Sequence, residues 1–127
     1  MAERAGRSIL IVEDNPANMK LAIFVLEQAG YRVLSAVDAE LGLTLAREQH
    51  PDLIMMDVQL PGMDGLAATA LLKQDETTRS IPVIALTALA MKGDEARIRD
   101  AGCDAYIAKP MRYQEVLATV AAHLDRP

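Results

Sequence analysis

The chain has 127 residues, of which 51% are hydrophobic, so it can form a domain with a buried core and does not have the composition of a disordered protein. Its formal net charge of −5 and the lack of a basic patch argue against a direct nucleic-acid partner. No apolar run approaches the roughly 20 residues of a membrane span, and the single cysteine cannot form an internal disulfide, so we expect a cytoplasmic protein without a membrane partner.

Short apolar runs bounded by turn residues predict five β-strands. In chain order these are Ser8–Val12, Arg32–Ala36, Leu53–Met56, Val83–Leu86 and Ala105–Ala108. The first, third and fourth runs are apolar at nearly every position rather than at alternate ones. Such runs are typical of parallel strands that helices cover on both faces.

The segments between these runs have apolar residues at helical spacing and predict five helices. Asn15 followed by Pro16 is typical of a helix start, and Gly30 and Gly102 stand where helices are expected to end. The predicted helices cover about Pro16–Ala29, Asp38–Glu48, Gly65–Gln74, Lys92–Ala101 and Tyr113–Leu124. The alternation of strand and helix indicates an α/β fold of (βα)5 type, with an open, doubly wound parallel sheet.

We expect residues 1–127 to form a single domain, with a core of about residues 8–124. Only three residues follow the last predicted helix, so we expect no output domain. The chain shows no internal repeat, linker or low-complexity segment.

Polar residues follow four of the five predicted strands. Glu13 and Asp14 follow the first strand, Asp57 the third, Thr87 the fourth and Lys109 the fifth. In open α/β sheets, ligands bind beyond the carboxyl ends of the strands, near the point where the strand order reverses. Each residue alone has an ordinary structural explanation, such as helix capping, but the five together predict a site at one edge of the sheet.

Electrostatics limits what this site can do. Two carboxylates about 5 Å apart at an effective dielectric constant of about 20 repel each other by roughly 3 kcal/mol. Three carboxylates with one lysine therefore call for a further cation, and hard oxygen ligands favour Mg²⁺. A phosphoryl group held by Mg²⁺, Lys109 and Thr87 would meet a carboxylate nucleophile, and Asp57 is the best candidate because it stands alone on its strand.

Four segments resemble the receiver domains of two-component response regulators, and the likeness covers roughly residues 8 to 124. They are IVEDN at 11–15, LIMMDVQLPGMDG at 53–65, VIALTA at 83–88 and AYIAKP at 105–110. Within that family, residues 90–95 and 102–106 are most similar to DivK-type single-domain regulators and to receivers attached to hybrid histidine kinases. The resemblance implies a three-layer, flavodoxin-like fold with strand order 2-1-3-4-5.

The resemblance also implies the role of each site residue. Asp57 would accept a phosphoryl group from a histidine kinase or a histidine phosphotransfer protein. Glu13, Asp14 and Asp57 would bind Mg²⁺, and Gln59 would add its backbone carbonyl. Glu13 stands where Asp is also common in the family, and the residue at position 59 varies between members.

Three further positions are implied to act after phosphorylation. Thr87 would be the switch hydroxyl that moves onto the phosphoryl group, and Tyr106 the aromatic side chain that turns inward with it. Lys109 would pair with the phosphate, and the Lys109–Pro110 peptide bond would be cis. The protein would then bind downstream protein partners through its fourth helix and fifth strand, catalysing only its own phosphorylation and dephosphorylation. Its oligomeric state is left open.

Three other functions are compatible with parts of the sequence. An aspartyl-nucleophile phosphatase shares the fold and the strand-end Asp, but typically has a second Asp two residues after the nucleophile, where this chain has Gln59. A flavodoxin-like cofactor carrier would need a phosphate-cradling loop after the first strand, which the sequence lacks. A pseudo-receiver scaffold is disfavoured by the complete acidic site.

The first predicted helix carries a separate hypothesis. Its core face is expected to comprise Leu21, Ala22, Val25 and Ala29. Met19 and Ile23 are expected on its flank beside the site, where they would either dock a histidine-bearing helical bundle or be ordinary surface apolar residues. In another part of the chain, Cys103 is expected to be a small buried side chain without reactivity.

Overall fold

The structure is a computed structural model that describes residues 7–88 and 92–124, without the side chains of residues 92 and 93. The predicted strands are confirmed, and two of them extend one residue further than the apolar runs. They are β1 Ser8–Val12, β2 Arg32–Ala36, β3 Leu53–Asp57, β4 Val83–Thr87 and β5 Ala105–Ala108. The additional residues are Asp57 and Thr87, so both of these polar side chains belong to strands.

The predicted helices are also confirmed, and their ends differ by at most one residue from those expected. They are α1 Pro16–Gln28, α2 Ala39–Gln49, α3 Gly65–Gln74, α4 Lys92–Asp100 and α5 Tyr113–Leu124. Ala90 and Met91, which form part of the family resemblance, lie outside the described residues. Within the described ranges, no helix is long and apolar enough to cross a membrane.

All strand pairs in the sheet are parallel, and the strand order is β2-β1-β3-β4-β5. This is the order that the family resemblance implied. The order reverses beside β1, because β2 pairs on one side of it and β3 on the other. The carboxyl ends of β1 and β3 therefore lie at the position where open α/β sheets bind their ligands.

Two apolar clusters cover the two faces of the sheet, which gives the three-layer architecture. Alternate residues of the central strands contribute to each cluster. One cluster joins the sheet to α2, α3 and α4, and the other joins it to α1 and α5. Residues of β3 and β4 are consequently buried throughout, which explains why these strands are continuously apolar in sequence.

Helix starts beside the carboxyl edge of the sheet are fixed by local contacts. The side chain of Asn15 accepts a hydrogen bond from the backbone N–H of Asn18, and that of Asp64 accepts one from Ala67. At Gly65 a Cβ atom would overlap the carbonyl oxygen of Asp57. Glycine at this position thus lets α3 begin against the end of β3.

The prediction for the core face of α1 was wrong at Leu21. Its buried residues are Ala22, Val25 and Leu26, whereas Leu21 is 44% exposed. The buried stripe is rotated around the helix, because Leu26 packs against the sheet and Leu21 lies on the solvent side. Met19 and Ile23, which were candidates for a docking flank, are only partly accessible and pack against the core. Among the described residues of α1, the exposed large apolar side chains are Leu21 and Phe24.

Cys103 is buried, and its thiol lies 3.9 Å from the hydroxyl of Thr69. Burial raises the pKa of the Cys103 thiol. Both observations agree with the expected packing role.

Candidate functional site

Three carboxylates meet at the carboxyl edge of β1 and β3. Val12 pairs with Met56 in the parallel register, so the residues that follow them, Glu13 and Asp57, lie side by side. Both are buried, whereas Asp14 is exposed. One carboxylate oxygen from each of Glu13, Asp14 and Asp57 lies within 4.8 Å of the other two. We call these three residues the carboxylate cluster.

Lys109 contributes a positive charge to the carboxylate cluster. Its Nζ lies 2.8 Å from Oδ2 of Asp57 and 3.1 Å from Oε1 of Glu13. The backbone places it there, because the N–H of Lys109 donates to the carbonyl of Thr87 at the end of the neighbouring strand, at 2.8 Å. The Lys109–Pro110 peptide bond is cis.

Both oxygens of the Asp57 carboxylate have a donor. Oδ2 accepts a hydrogen bond from Lys109 at 2.8 Å, and Oδ1 accepts one from the backbone N–H of Gln59 at 3.0 Å. The next backbone N–H, that of Val58, donates to the carbonyl of Leu86 and so holds the loop against β4. These contacts fix the orientation of the Asp57 side chain before any ligand arrives.

The pKa values of Glu13 and Lys109 are both shifted from their ordinary values. Burial, followed by the hydrogen bond with Asp57, raises the pKa of Glu13, although the backbone N–H of Asn15 and the Lys109 ammonium act in the opposite direction. Burial lowers the pKa of Lys109, but its contacts with Asp57 and Glu13 outweigh this, so the net pKa is raised. Lysine is therefore held in its charged form, and the carboxylate cluster retains an excess of negative charge.

The donor set of the carboxylate cluster fits a magnesium ion. All its ligand atoms are oxygens, which Mg²⁺ prefers, and the exposure of Asp14 leaves one side open to the water molecules that Mg²⁺ keeps. Oε1 of Glu13 is buried and, within the described ranges, accepts no hydrogen bond, its nearest cation being the Lys109 ammonium. A bound divalent cation would give this oxygen a metal–ligand bond in addition to its 3.1 Å contact with the Lys109 ammonium, and it would offset the excess negative charge.

Thr87 and Tyr106 lie on neighbouring strands and on the same face of the sheet, because Tyr106 pairs with Ala85, two residues before Thr87. Thr87 is the last residue of β4 and is buried. In the parallel register Thr87 pairs with Ala108 on β5, and Leu86, the residue before Thr87, pairs with Asp57 on β3. The structure thus brings Thr87 to the same edge as Asp57 and Lys109. Tyr106 lies apart from the carboxylate cluster: it is 39% exposed, and its hydroxyl donates to Oε2 of Glu95 on α4 at 3.0 Å.

An open depression of about 580 Å³ adjoins the carboxylate cluster. Its walls include Asp14, Gln59 and Asp64 from the loops after β1 and β3, and Arg97 from α4. Sequence reasoning did not single out Arg97, because the alternating charges of α4 are equally typical of a solvated helix face. Only the packing of α4 beside the loop after β3 distinguishes it from its neighbours in the chain.

Comparisons with known proteins agree on one family. The family model described as "Response regulator receiver domain" matches residues 9–121. The polar-differentiation response regulator DivK of Brucella ovis is 52% identical over 118 residues, which are 93% of this chain and 96% of that protein. DivK of Brucella anthropi is 50% identical over the same length.

Solved structures show the same fold. The receiver domain of a sensor histidine kinase from Pseudomonas aeruginosa PAO1 is 38% identical, with a TM-score of 0.89, and the match covers 96% of this chain and 100% of that one. That structure has a magnesium ion coordinated in the active-site cleft. The receiver domain of a histidine kinase from Syntrophus aciditrophicus is 34% identical, with a TM-score of 0.88, and the match covers 94% and 91% of the two chains.

Proposed function

Because this chain belongs to the response regulator receiver domain family, we propose that it is a two-component switch that accepts a phosphoryl group on Asp57. The observation that carries the proposal is the buried carboxylate of Asp57, which lies 2.8 Å from Lys109 and beside two further carboxylates. Its two oxygens accept hydrogen bonds from Lys109 and from the backbone N–H of Gln59, so the carboxylate is held in one orientation for nucleophilic attack.

The phosphoryl donor would be a phosphohistidine on a histidine kinase or on a histidine phosphotransfer protein. One oxygen of Asp57 attacks the phosphorus atom, an oxygen–phosphorus bond forms, and the phosphorus–nitrogen bond of the donor breaks. The electron pair of that bond returns to the imidazole ring of the donor. Lys109 then balances the charge of the phosphoryl oxygens, since its ammonium group already lies at the Asp57 carboxylate.

Glu13, Asp14 and Asp57 would hold Mg²⁺, and Gln59 would add its backbone carbonyl. When bound, the ion would supply charge neutralisation for the phosphoryl group. The all-oxygen donor set supports this assignment, as does the magnesium ion in the related Pseudomonas aeruginosa receiver.

The signal would pass from Asp57 to the surface through Thr87 and Tyr106. The Thr87 hydroxyl moves onto the phosphoryl group, and the Tyr106 ring turns inward and gives up its hydrogen bond with Glu95. The hydrogen bond between Tyr106 and Glu95 joins β5 to α4, so its loss alters the surface that these elements share. Downstream protein partners would recognise the altered surface in the cytoplasm.

The protein acts on its own Asp57 rather than on external phosphate esters. The loop after β3 has Gln59 at the position where an aspartyl-nucleophile phosphatase would need its second Asp. The backbone N–H of Gln59 is bonded to Asp57, while its side chain is exposed. We therefore favour a signalling role over hydrolysis of substrates.

Incubation with phosphoramidate and Mg²⁺, followed by intact mass measurement, tests this function. We expect the mass of one phosphoryl group to be added to the wild-type protein. Asp57→Asn should gain nothing, and neither should the wild type in the presence of a chelator. The control is Asp100→Asn on α4, because Asp100 is exposed, and this variant should react as the wild type does. Asp52→Asn would be a poorer control, because the Asp52 side chain accepts a hydrogen bond from the backbone N–H of Ser8.

A further inference from the structure

Arg97 gives the depression beside Asp14 a positive charge among negative ones. Of the described side chains that line this depression, Asp14 and Asp64 are carboxylates and Arg97 is the only cation. The depression adjoins the carboxylate cluster in two places, because Asp14 belongs to the cluster and the N–H of Gln59 is bonded to Asp57. Any small phosphoryl donor that approaches Asp57 from this side passes Arg97.

The Arg97 guanidinium is accessible to a ligand. The Arg97 side chain is 65% exposed, and its guanidinium lies 3.1 Å from Oδ1 of Asp94, one turn earlier on α4. The guanidinium can exchange this partner for a ligand because it is itself mostly exposed to water, although the Asp94 side chain is only 17% exposed. Arg97 and Asp94 also line a narrow cleft together with Thr87, so the side chain extends along the edge of the site.

We propose that Arg97 is a donor-binding residue that selects anionic phosphoryl donors, on the ground that it lines, together with Asp14 and Asp64, the depression beside Asp57. The inference rests on the proposed function of Asp57. Without Arg97, the two carboxylates of the depression would repel a donor with two negative charges. With Arg97 present, the donor finds a guanidinium, whose planar donors suit phosphate and carboxylate oxygens.

Phosphoryl transfer from acetyl phosphate to Asp57 illustrates the effect of the Arg97 guanidinium. An oxygen of Asp57 attacks the phosphorus atom, the new oxygen–phosphorus bond forms, and the bond from phosphorus to the acetyl oxygen breaks. The electron pair leaves with acetate, which carries the negative charge that Arg97 offsets. With phosphoramidate the leaving group departs as neutral ammonia, so Arg97 has less to offset. The benefit of Arg97 should therefore depend on the charge of the donor and of its leaving group.

Arg99 provides a matched control. It lies two positions after Arg97 on the same helix and lines a different pocket, with Cys103 and Tyr106. Arg97→Gln and Arg99→Gln remove the same charge from the same helix, so they change the overall field of the protein to the same extent. Only Arg97→Gln removes a cation from the depression beside Asp14.

The test compares initial rates of phosphoryl gain, followed by intact mass, with acetyl phosphate and with phosphoramidate. We expect Arg97→Gln to slow the reaction with acetyl phosphate by about threefold to fivefold, as for an exposed ion pair, and to change the phosphoramidate rate much less. The loss should disappear at about 1 M salt, where charges are screened within about 3 Å. Arg97→Lys should keep most of the rate, and Asp94→Asn, which frees the guanidinium, should raise it.

Equal rates for Arg97→Gln and Arg99→Gln would overturn the inference, as would an equal loss with both donors. In either case the wild type would still be phosphorylated on Asp57, so the proposed function would stand. If the wild type gains no phosphoryl group from either donor, the proposed function fails, and this inference fails with it.

Discussion

The ammonium nitrogen of Lys109 lies 2.8 Å from Oδ2 of Asp57, although the two residues are 52 positions apart in the chain. The ends of the strands and the order of the strands in the sheet produce this contact. Asp57 ends β3 and Lys109 follows β5, and β4 lies between them in the parallel sheet. The contact spans the width of β4, which a long lysine side chain can do and a short cationic side chain could not.

Replacing Lys109 by Met should impair both phosphoryl acceptance and stability. Loss of one positioned donor at a site of developing charge typically slows a reaction by about 100-fold or more, so we expect at least that loss in the rate of mass gain with phosphoramidate. Without the cation, Glu13 and Asp57 also remain as buried charges, which should cost at most about 3 kcal/mol in the metal-free protein. Lys20→Met, on the exposed side of α1, is the control, and an unchanged rate in Lys109→Met would contradict the role of Lys109.

The raised pKa of Glu13 predicts a particular dependence of stability on pH in the metal-free protein. Burial and the contact with Asp57 raise the pKa of Glu13 above its ordinary value of 4.5. A carboxyl group shifted in this direction destabilises the folded state while it is ionised, at pH values above its folded pKa. That penalty diminishes as the pH falls through the folded pKa and is gone below 4.5.

Urea unfolding of the wild type and of Glu13→Gln over this pH range, in the presence of a chelator, measures the effect. The free energy of unfolding of the wild type relative to the variant should rise as the pH falls from neutral toward 4.5. A difference that stays constant with pH would show that folding does not shift the pKa of Glu13, and one that decreases as the pH falls would show that folding lowers it. Glu48→Gln, which alters an exposed carboxylate on α2, should show no such trend.

The close packing of Gly65 against the backbone of Asp57 should affect the position of the reactive carboxylate. In Gly65→Ala the new Cβ would overlap the carbonyl oxygen of Asp57, so α3 or the end of β3 must move. We expect a loss of about 1–3 kcal/mol in the free energy of unfolding, as for overpacked sites, together with slower phosphoryl gain.

Gly62→Ala is the informative comparison for Gly65→Ala. Gly62 has a φ of +77°, but a Cβ at this position would meet nothing within 4 Å. Its replacement should cost about 1–2 kcal/mol through backbone strain alone and leave the phosphorylation rate unchanged. If both variants keep the wild-type rate, the packing of Gly65 does not position Asp57.

The movement proposed for Tyr106 can be followed by fluorescence, because the chain contains no tryptophan. In Tyr106→Trp the new indole takes the place of a ring that is 39% exposed. Phosphorylation should shift its emission to shorter wavelength as the ring enters the protein. Tyr113→Trp, at an exposed position on α5, should show no shift, and identical spectra of Tyr106→Trp before and after phosphorylation would argue against the inward turn.

The strands and the residues at their ends could be predicted from the sequence, because continuous apolar runs such as Leu53–Met56 are typical of strands that are covered on both faces. The strand order could not be predicted from the apolar pattern. Periodicity shows that the strands are parallel and covered by helices, but it does not show that β2 lies outside β1; the resemblance to receiver domains supplied that order.

Two predictions from helical periodicity show its limits. Leu21 was assigned to the core because it shares a spacing with Val25, but Ala22 and Leu26 define the buried stripe of α1. A helix with apolar residues on most of its surface has more than one apolar stripe that could face the core. Which stripe is buried depends on how the helix packs against the sheet. The position of Arg97 could not be predicted from helical periodicity, because it depends on how α4 packs beside the loop after β3.

The central claim is that Asp57 itself carries the phosphoryl group. Reduction of the phosphorylated protein with sodium borodeuteride, followed by peptide mass mapping, converts the acyl phosphate to deuterated homoserine and so labels the residue that held it. We predict that the label lies at position 57 alone and that it is absent when Mg²⁺ is omitted. A label at Glu13, Asp14 or any other carboxylate, with position 57 unlabelled, would contradict the account.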